Sequence, residues 1–387
     1  MQNRRHKQDT QLRSAPDVST PVQESSRPPF VLAVQETAQL ELPVATPAYP
    51  EFRYMGSKSR LLPWLHDIFA RLDFETAADP FCGAGSVAYL LKTMGKEVYA
   101  SDVLHFPSTI ARALIANSSE ILTEQLIERI LRPSPGRADF IERTFSGIFY
   151  TPEDLRFLDD VWGNLRSIGN DALVALALTA LIRACMKRQP RGVFTVANNP
   201  DGSARYNDGR RDIRLSLREH FLEQAELVNG LVFDNGRAHI VARRDVFDKA
   251  AGPRPDLVYF DPPYVPRADD NCYIKRYHFL EGLSCYWEGM RILERSKVRK
   301  IEKVRTPFGY RHSAVSAFER LFQQYRDSII VLSYSDNGYP DREIIGDLLG
   351  RVKPRVTVHE RRHRYHFGTH AAVERAETTE YVLVGTD

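Results

Sequence analysis

The chain contains no run of about 18 apolar residues, the length a membrane-spanning helix requires, so nothing in it is expected to cross a bilayer. Its opening stretch, Met1 to Ser26, is polar and lacks the apolar centre of a secretory signal. Cysteine is scarce: there are four, at 82, 185, 272 and 285, and no two form a CxxC pair. That spacing offers neither a disulfide framework nor a structural zinc site, and it suits a reducing cytoplasm, the expected location. His278 and the set His363, His366 and His370 are loosely spaced and have no cysteine partners, so no metal site is expected. Net charge is also small, +3 over 387 residues, too little to name a partner by bulk attraction.

The charge that is present is segregated. Nine Lys/Arg face three Asp between Arg183 and Arg218, and eight Lys/Arg face two Glu between Arg291 and Arg311. Two basic stretches on an otherwise acidic body suit a polyanion whose phosphates must be placed, although solvated helix faces would look the same.

Residues 1–48 are rich in Pro, Gln, Ser and Thr without sustained periodicity and are expected to form a disordered tail. Order is expected from about Phe52. A helical stretch, Leu61 to Leu72, precedes a strand at Thr76–Ala78, the loop Asp79-Pro-Phe-Cys-Gly-Ala-Gly-Ser86, a helix over Val87–Met94 and a strand at Val98–Ala100 that runs into Asp102. This is the opening of an α/β doubly wound sheet. The pattern then turns helical over 119–132, 151–168 and 171–187, with a hairpin expected from Gly192–Ala197 and Ala204–Tyr206. A helix over 212–229 follows, and strands are expected at 238–242, Asp256–Phe260, Ser328–Ser333 and Glu380–Val384. The simplest division is a sheet domain in two parts, 49–118 and 226–387, interrupted by an insertion at 119–225.

The most specific motif is Asp261-Pro-Pro-Tyr264, directly after the apolar strand Leu257-Val-Tyr-Phe260. An adenine amino group is a poor nucleophile because its lone pair is conjugated with the ring. Acceptors on its two hydrogens would draw the nitrogen towards sp3 geometry and stabilise the charge that grows on it. Asp261 and the carbonyl of Pro262 are candidates for those acceptors. Pro262 and Pro263 stiffen the turn and donate no N–H, and Tyr264 offers a face on which an extruded base can stack. A plain turn after a strand is the alternative. The second motif, Gly83-Ala-Gly85-Ser-Val-Ala88 with Asp102 ending the next strand, is a ligand-binding loop with a carboxylate for ribose hydroxyls. By itself it fits a nicotinamide dinucleotide as well as S-adenosylmethionine; the Asp261–Tyr264 turn favours the methyl donor.

Taken in order, Phe52-Arg-Tyr-Met-Gly-Ser-Lys-Ser59, Asp79–Ser86, Asp102, Asp261–Tyr264 and Ser333-Tyr-Ser335 resemble the alpha group of adenine-specific (N6) DNA methyltransferases, Dam-like enzymes, over about residues 50–385. The resemblance implies a Rossmann-like S-adenosylmethionine-dependent methyltransferase sheet with an inserted, mainly helical target-recognition domain. It implies methylation of a flipped adenine in double-stranded DNA, with a cognate restriction endonuclease as a candidate partner. By the same resemblance, Tyr54, Gly56 and Lys58 line the methionine end of the donor. Asp79, Phe81, Gly83 and Gly85 belong to the donor loop, Asp102 takes the ribose and Asp245 the donor's adenine. Asp261, Pro262, Pro263 and Tyr264 carry the catalytic role.

For nucleic acid, Arg191, Arg205, Arg210 and Arg211 surround the expected hairpin of the insertion. Lys275 and Arg276 stand in Tyr273–Phe279, expected to be a loop closing over the flipped base. A catalytically inactive DNA-binding relative, an RNA adenine methyltransferase and a cytosine N4 methyltransferase remain as alternatives at this stage.

Overall fold

Alternation along the central strands of the chain divides its core in two. Ala77, Leu257, Tyr259 and Val331 belong to one apolar cluster, while Ala78, Val258, Phe260, Ile330 and Leu332 belong to another. Residues one step apart on a strand point to opposite faces, so these strands are covered on both sides, as parallel sheets require. The computed structural model describes residues 49–50, 52–190, 192–197, 209–248, 252–266, 273–364 and 377–387. The expected disordered tail, 1–48, lies outside them.

The ordered chain passes through a 3-10 turn, Ser59–Leu61, into helix α1 (Leu62–Phe69), then β1 (Thr76–Asp79), α2 (Ser86–Thr93) and β2 (Glu97–Asp102), the expected strand–loop–helix–strand unit. Helix α3 (His105–Ala111), prolonged by a π-helical turn over Arg112–Ala116, has no local signal at its start. Its first amides are capped from afar: the Glu281 carboxylate accepts from His105 N–H at 2.8 Å and Phe106 N–H at 3.1 Å.

The insertion supplies α4 (Glu124–Leu131), α5 (Phe140–Phe145), α6 (Pro152–Leu165), α7 (Asp171–Arg188), α8 (Arg211–Arg214) and α9 (Leu217–Asn229). Apart from the short α8, these helices share the apolar cluster of α1–α3: Leu158, Leu181 and Phe221 stand in it beside Leu65 and Ile110. Helix α7 is buried nearly all round and is capped by the Asn170 side chain, which accepts from Ala172 and Leu173 N–H. The helix expected over 212–229 is broken, because Ser216 begins a new one. Its hydroxyl accepts Glu219 N–H while the Glu219 carboxylate accepts Ser216 N–H, a reciprocal cap. The first arm of the expected hairpin, Gly192–Ala197, contains no strand. Phe194 is instead buried, with its ring stacked 5.0 Å from that of Phe279. The second arm lies outside the described residues.

The sheet resumes with β3 (Ile240–Arg243), β4 (Leu257–Phe260) and the short β5 (Val265–Pro266). Next comes α10 (Tyr273–Leu283), where a loop was expected. Tyr277, His278 and Phe279 are buried there, and their packing overrides the open, basic look of the sequence. The remaining elements are α11 (Arg311–Gln324), β6 (Ile329–Ser335), β7 (Gly338–Tyr339), α12 (Arg342–Gly350), β8 (Arg355–Arg364) and β9 (Glu377–Thr386). Phe318 and Phe322 of α11 and Ile345 and Leu349 of α12 fill the second cluster.

The seven-stranded sheet runs β3-β2-β1-β4-β6-β9-β8. Its first five strands are mutually parallel, and β9 lies antiparallel between β6 and β8. From β1 the chain steps outward to β2 and β3, then returns to β4 on the other side of β1. The order therefore reverses between β1 and β4, where open α/β sheets receive ligands beyond the strand ends. Both strands lead into acids there, Asp79 and Asp261. Among the described residues no helix is long and apolar enough to cross a membrane.

Candidate active site

A cavity of about 260 Å³ opens at this reversal, bordered by the ends of β1, β2 and β4. Tyr54, Gly56, Lys58, Asp79, Phe81, Gly83, Asp102 and Asp245, all donor-site expectations, line it. Gly85 stands just behind, at the start of α2. Gly83 has φ +49°, and a Cβ on it would lie 2.9 Å from the Tyr54 ring, so the loop requires glycine to pass beneath that aromatic wall. The wall is itself held by α10: Tyr54 stacks on Tyr277 at 5.1 Å, and Met55 N–H donates to the Tyr277 hydroxyl at 2.7 Å. The Tyr273–Phe279 segment thus braces the cavity instead of forming a loop over it.

Four carboxyls border the cavity. Asp102 Oδ2 accepts Gly83 N–H at 3.1 Å and Oδ1 accepts Leu104 N–H at 3.0 Å. Burial nonetheless pushes Asp102 up to about 6. Asp79 is raised further, first by burial and then by the nearby Asp261 and Asp102. Its Oδ1 is buried and has no hydrogen-bond partner. Asp245 turns back on its own loop, where its Oδ1 accepts Phe247 N–H at 2.9 Å.

Asp261 is the fourth. Burial raises its carboxyl, and the Lys58 ammonium, 2.7 Å from Oδ2, opposes that shift. Lys58 is buried as well; burial disfavours its charge, but Asp261 and then Glu380 outweigh this and hold it protonated. It also donates to Gly56 O at 3.1 Å. Lys58 therefore sits beside the Asp261–Tyr264 turn as well as in the Tyr54–Lys58 segment, near a buried Glu380 on β9 that no local motif marks. Pro262 is buried, while Pro263 and Tyr264 border the cavity. Ser333 and Ser335 are absent from its lining. They support it from behind, Ser333 accepting the Tyr259 hydroxyl at 2.7 Å and Ser335 bonding Tyr264.

The sequence reading missed one wall altogether. Lys303, Val304, Arg305, Thr306, Phe308 and Tyr310 border the cavity from the second basic stretch. The Phe308 ring lies parallel to Phe247 at 5.7 Å and edge-on to Phe81 at 5.4 Å, beside Asp245. Basic charge was the visible signal in that stretch, and the aromatic that enters the site was not. Among the described residues, no three His, Cys, Asp or Glu side chains converge as a metal-binding set.

The nucleic-acid candidates are less gathered. Arg191 and Arg205 lie outside the described residues. Arg210 donates to Pro190 O at 3.1 Å, Arg211 is paired with Glu223, and Lys275 and Arg276 are half-buried on α10.

Acids at the ends of β1 and β2, a glycine loop between them and an Asp-Pro-Pro-Tyr turn after β4 narrow the possibilities to few enzyme families. The sequence profile of the D12 class N6 adenine-specific DNA methyltransferases matches residues 54–333, from the Tyr54 wall to β6. The chain belongs to this family. It is 30% identical over 332 residues to the type II methyltransferase M2.HphI of Haemophilus parahaemolyticus, covering 82% of this chain and 93% of that one. It is 20% identical over 317 residues to the modification methylase LlaI of Lactococcus lactis subsp. lactis, covering 77% of this chain and 48% of that one. With the modification methylase StsI of Streptococcus sanguinis it shares 24% identity over 319 residues, covering 77% and 46%. This D12 enzyme is a site-specific adenine DNA methyltransferase acting on N6, and the RNA and cytosine N4 readings are not those of its family.

Proposed function

We propose that the cavity binds S-adenosylmethionine and presents it to an adenine flipped out of duplex DNA against Asp261–Tyr264. The observation that carries this is the carboxyl set of the lining: Asp79, Asp102, Asp245 and Asp261 border the cavity, the buried cation Lys58 is already paired with Asp261, and the other lining cations, Lys303 and Arg305, are exposed. A sulfonium that also bears an ammonium finds carboxyl partners in such a lining, whereas the diphosphate of a nicotinamide dinucleotide would meet one buried cation, Lys58, already held by Asp261. Asp102 would take the ribose hydroxyls, and the partnerless Oδ1 of Asp79 the donor's ammonium. Asp245, which borders the cavity with Phe81 and Phe308, would take the adenine amino group.

The donor supplies an electrophilic methyl group; the protein supplies the acceptors. The Asp261 carboxylate and Pro262 carbonyl would bond the N6 hydrogens, and Tyr264 would stack on the flipped base. The motif order from Tyr54 to Asp261 is that of the alpha group, Dam-like enzymes, in which we place this chain. Residues 119–225 would form its inserted target-recognition domain, with Arg191, Arg205, Arg210 and Arg211 as DNA contacts. Lys275 and Arg276 would contribute from α10. Since two relatives are named modification methylases, we infer a restriction-modification role with a cognate endonuclease.

Calorimetric titration of S-adenosylmethionine across about pH 5 to 8 tests the donor site. The Asp102 carboxylate is a better acceptor than its neutral form, and its group titrates at about 6 in the free protein. Affinity should therefore fall as the pH drops through 6, by up to about tenfold per unit for this group, in addition to any decline that the raised Asp79 carboxyl brings. A flat profile would remove Asp102 from the donor, and saturable binding of NAD in its place would overturn the cofactor assignment.

A further inference from the structure

Away from the methylation cavity, the far side of the Tyr54 segment borders a second hollow of about 220 Å³, lined by Phe52, Arg53, Arg183, Met186 and Lys187. Three of its five lining residues are cations. Arg183 is only 8% exposed, yet among the described residues no carboxylate pairs with it. Its Nε donates to the neutral Gln224 Oε1 at 2.8 Å, and its guanidinium lies 4.5 Å from the Phe52 ring centre. A buried arginine is normally matched by an anion, since burying an unmatched charge is costly. Burial, with Arg53 adding to it, brings this guanidinium down to about 10.

The other two cations share a single carboxylate. Asp212 lies 2.6 Å from Arg53 and 3.5 Å from Lys187, and these neighbours keep it ionised despite its partial burial. His220, behind Asp212, is held neutral by burial and accepts or donates only at the Asp212 carbonyl, 2.8 Å away. Among the described residues the cluster thus keeps two positive charges in excess. Arg53 is fixed in place: it donates to Lys187 O at 3.2 Å and Gln189 O at 3.4 Å. Gly192 packs so closely that a Cβ there would lie 2.7 Å from Arg53 Cβ.

We propose that this hollow is a phosphate pocket and that its occupant is a backbone phosphate of the bound DNA. Arginine and lysine around a preformed recess are the usual ligands of a phosphate oxygen, and a phosphodiester supplies an anion that no described residue gives Arg183. Arg53 is the residue before Tyr54, so a phosphate held there fixes the strand against the same segment that walls the donor cavity.

Two readouts test the pocket, one of which needs neither donor nor methylation. In the first, inorganic phosphate is titrated against the thermal stability of the wild type, Arg183→Met and Lys187→Met at constant ionic strength; only the wild type should gain. In the second, binding of a DNA duplex is followed against salt. Each variant should lower the slope of log affinity on log salt by about one, with S-adenosylmethionine affinity unchanged. Phosphate stabilisation lost in the variants while the DNA slope stays at the wild-type value would keep the pocket and assign it to a free phosphate ester. An unchanged phosphate response together with an unchanged slope in both variants would overturn the proposal and leave Arg183 a stacked core residue. Should Arg183→Met fail to fold, the surface change Lys187→Met decides the same question.

Discussion

Asp261→Ala is expected to reduce single-turnover methyl transfer by at least about 10²–10³-fold, the usual cost of removing one preorganised acceptor at a developing charge. The fold should survive, because Lys58 keeps its bond to Gly56 O and its neighbour Glu380. Donor affinity should change little if, as proposed, Asp261 addresses the target amino group. Asp261→Asn separates geometry from charge. It keeps a carbonyl acceptor in place but removes the carboxylate that opposes Lys58, and its rate should fall between the wild type and the alanine variant. Near-normal turnover in Asp261→Ala would remove the turn after β4 from the chemistry.

Asp102→Ala should weaken S-adenosylmethionine by about 1.5–3 kcal/mol, the range for hydrogen bonds to a charged group. That is about 10- to 150-fold in dissociation constant. Asp102 also tethers the glycine loop through Gly83 N–H, so part of the loss could reflect a loosened loop. The pH profile distinguishes the two origins. If the ribose contact dominates, the variant should lack the part of the wild-type decline centred near pH 6, keeping only what Asp79 contributes. Wild-type affinity in Asp102→Ala would place the ribose elsewhere.

Much of this site is legible in the chain because its strongest motifs are local. The Asp79–Ser86 loop lies between two short apolar strands, and Asp261 follows a third, so the ends of β1, β2 and β4 could be read one stretch at a time. What escaped reading is assembled across long separations. Glu281 caps α3 from the distant α10, and the charge of Lys58 depends on Asp261 and on Glu380 of β9. Phe308 enters the cavity from a stretch whose lysines and arginines dominate its composition. Tyr273–Phe279 looks like a basic loop because its cations are conspicuous, but the buried Tyr277 and Phe279 pack it against the core as a helix kinked at Tyr277. The same packing takes Phe194 into the core, which is why the segment around it forms no hairpin arm.

The most direct test of the account is to incubate the protein with methyl-labelled S-adenosylmethionine and, separately, duplex DNA and structured RNA, then to digest each to nucleosides and identify the labelled base by mass spectrometry. The account predicts label in N6-methyldeoxyadenosine from the DNA, absent with Asp261→Ala. Label in N4-methyldeoxycytidine, or in RNA adenosine with none in DNA, would contradict it.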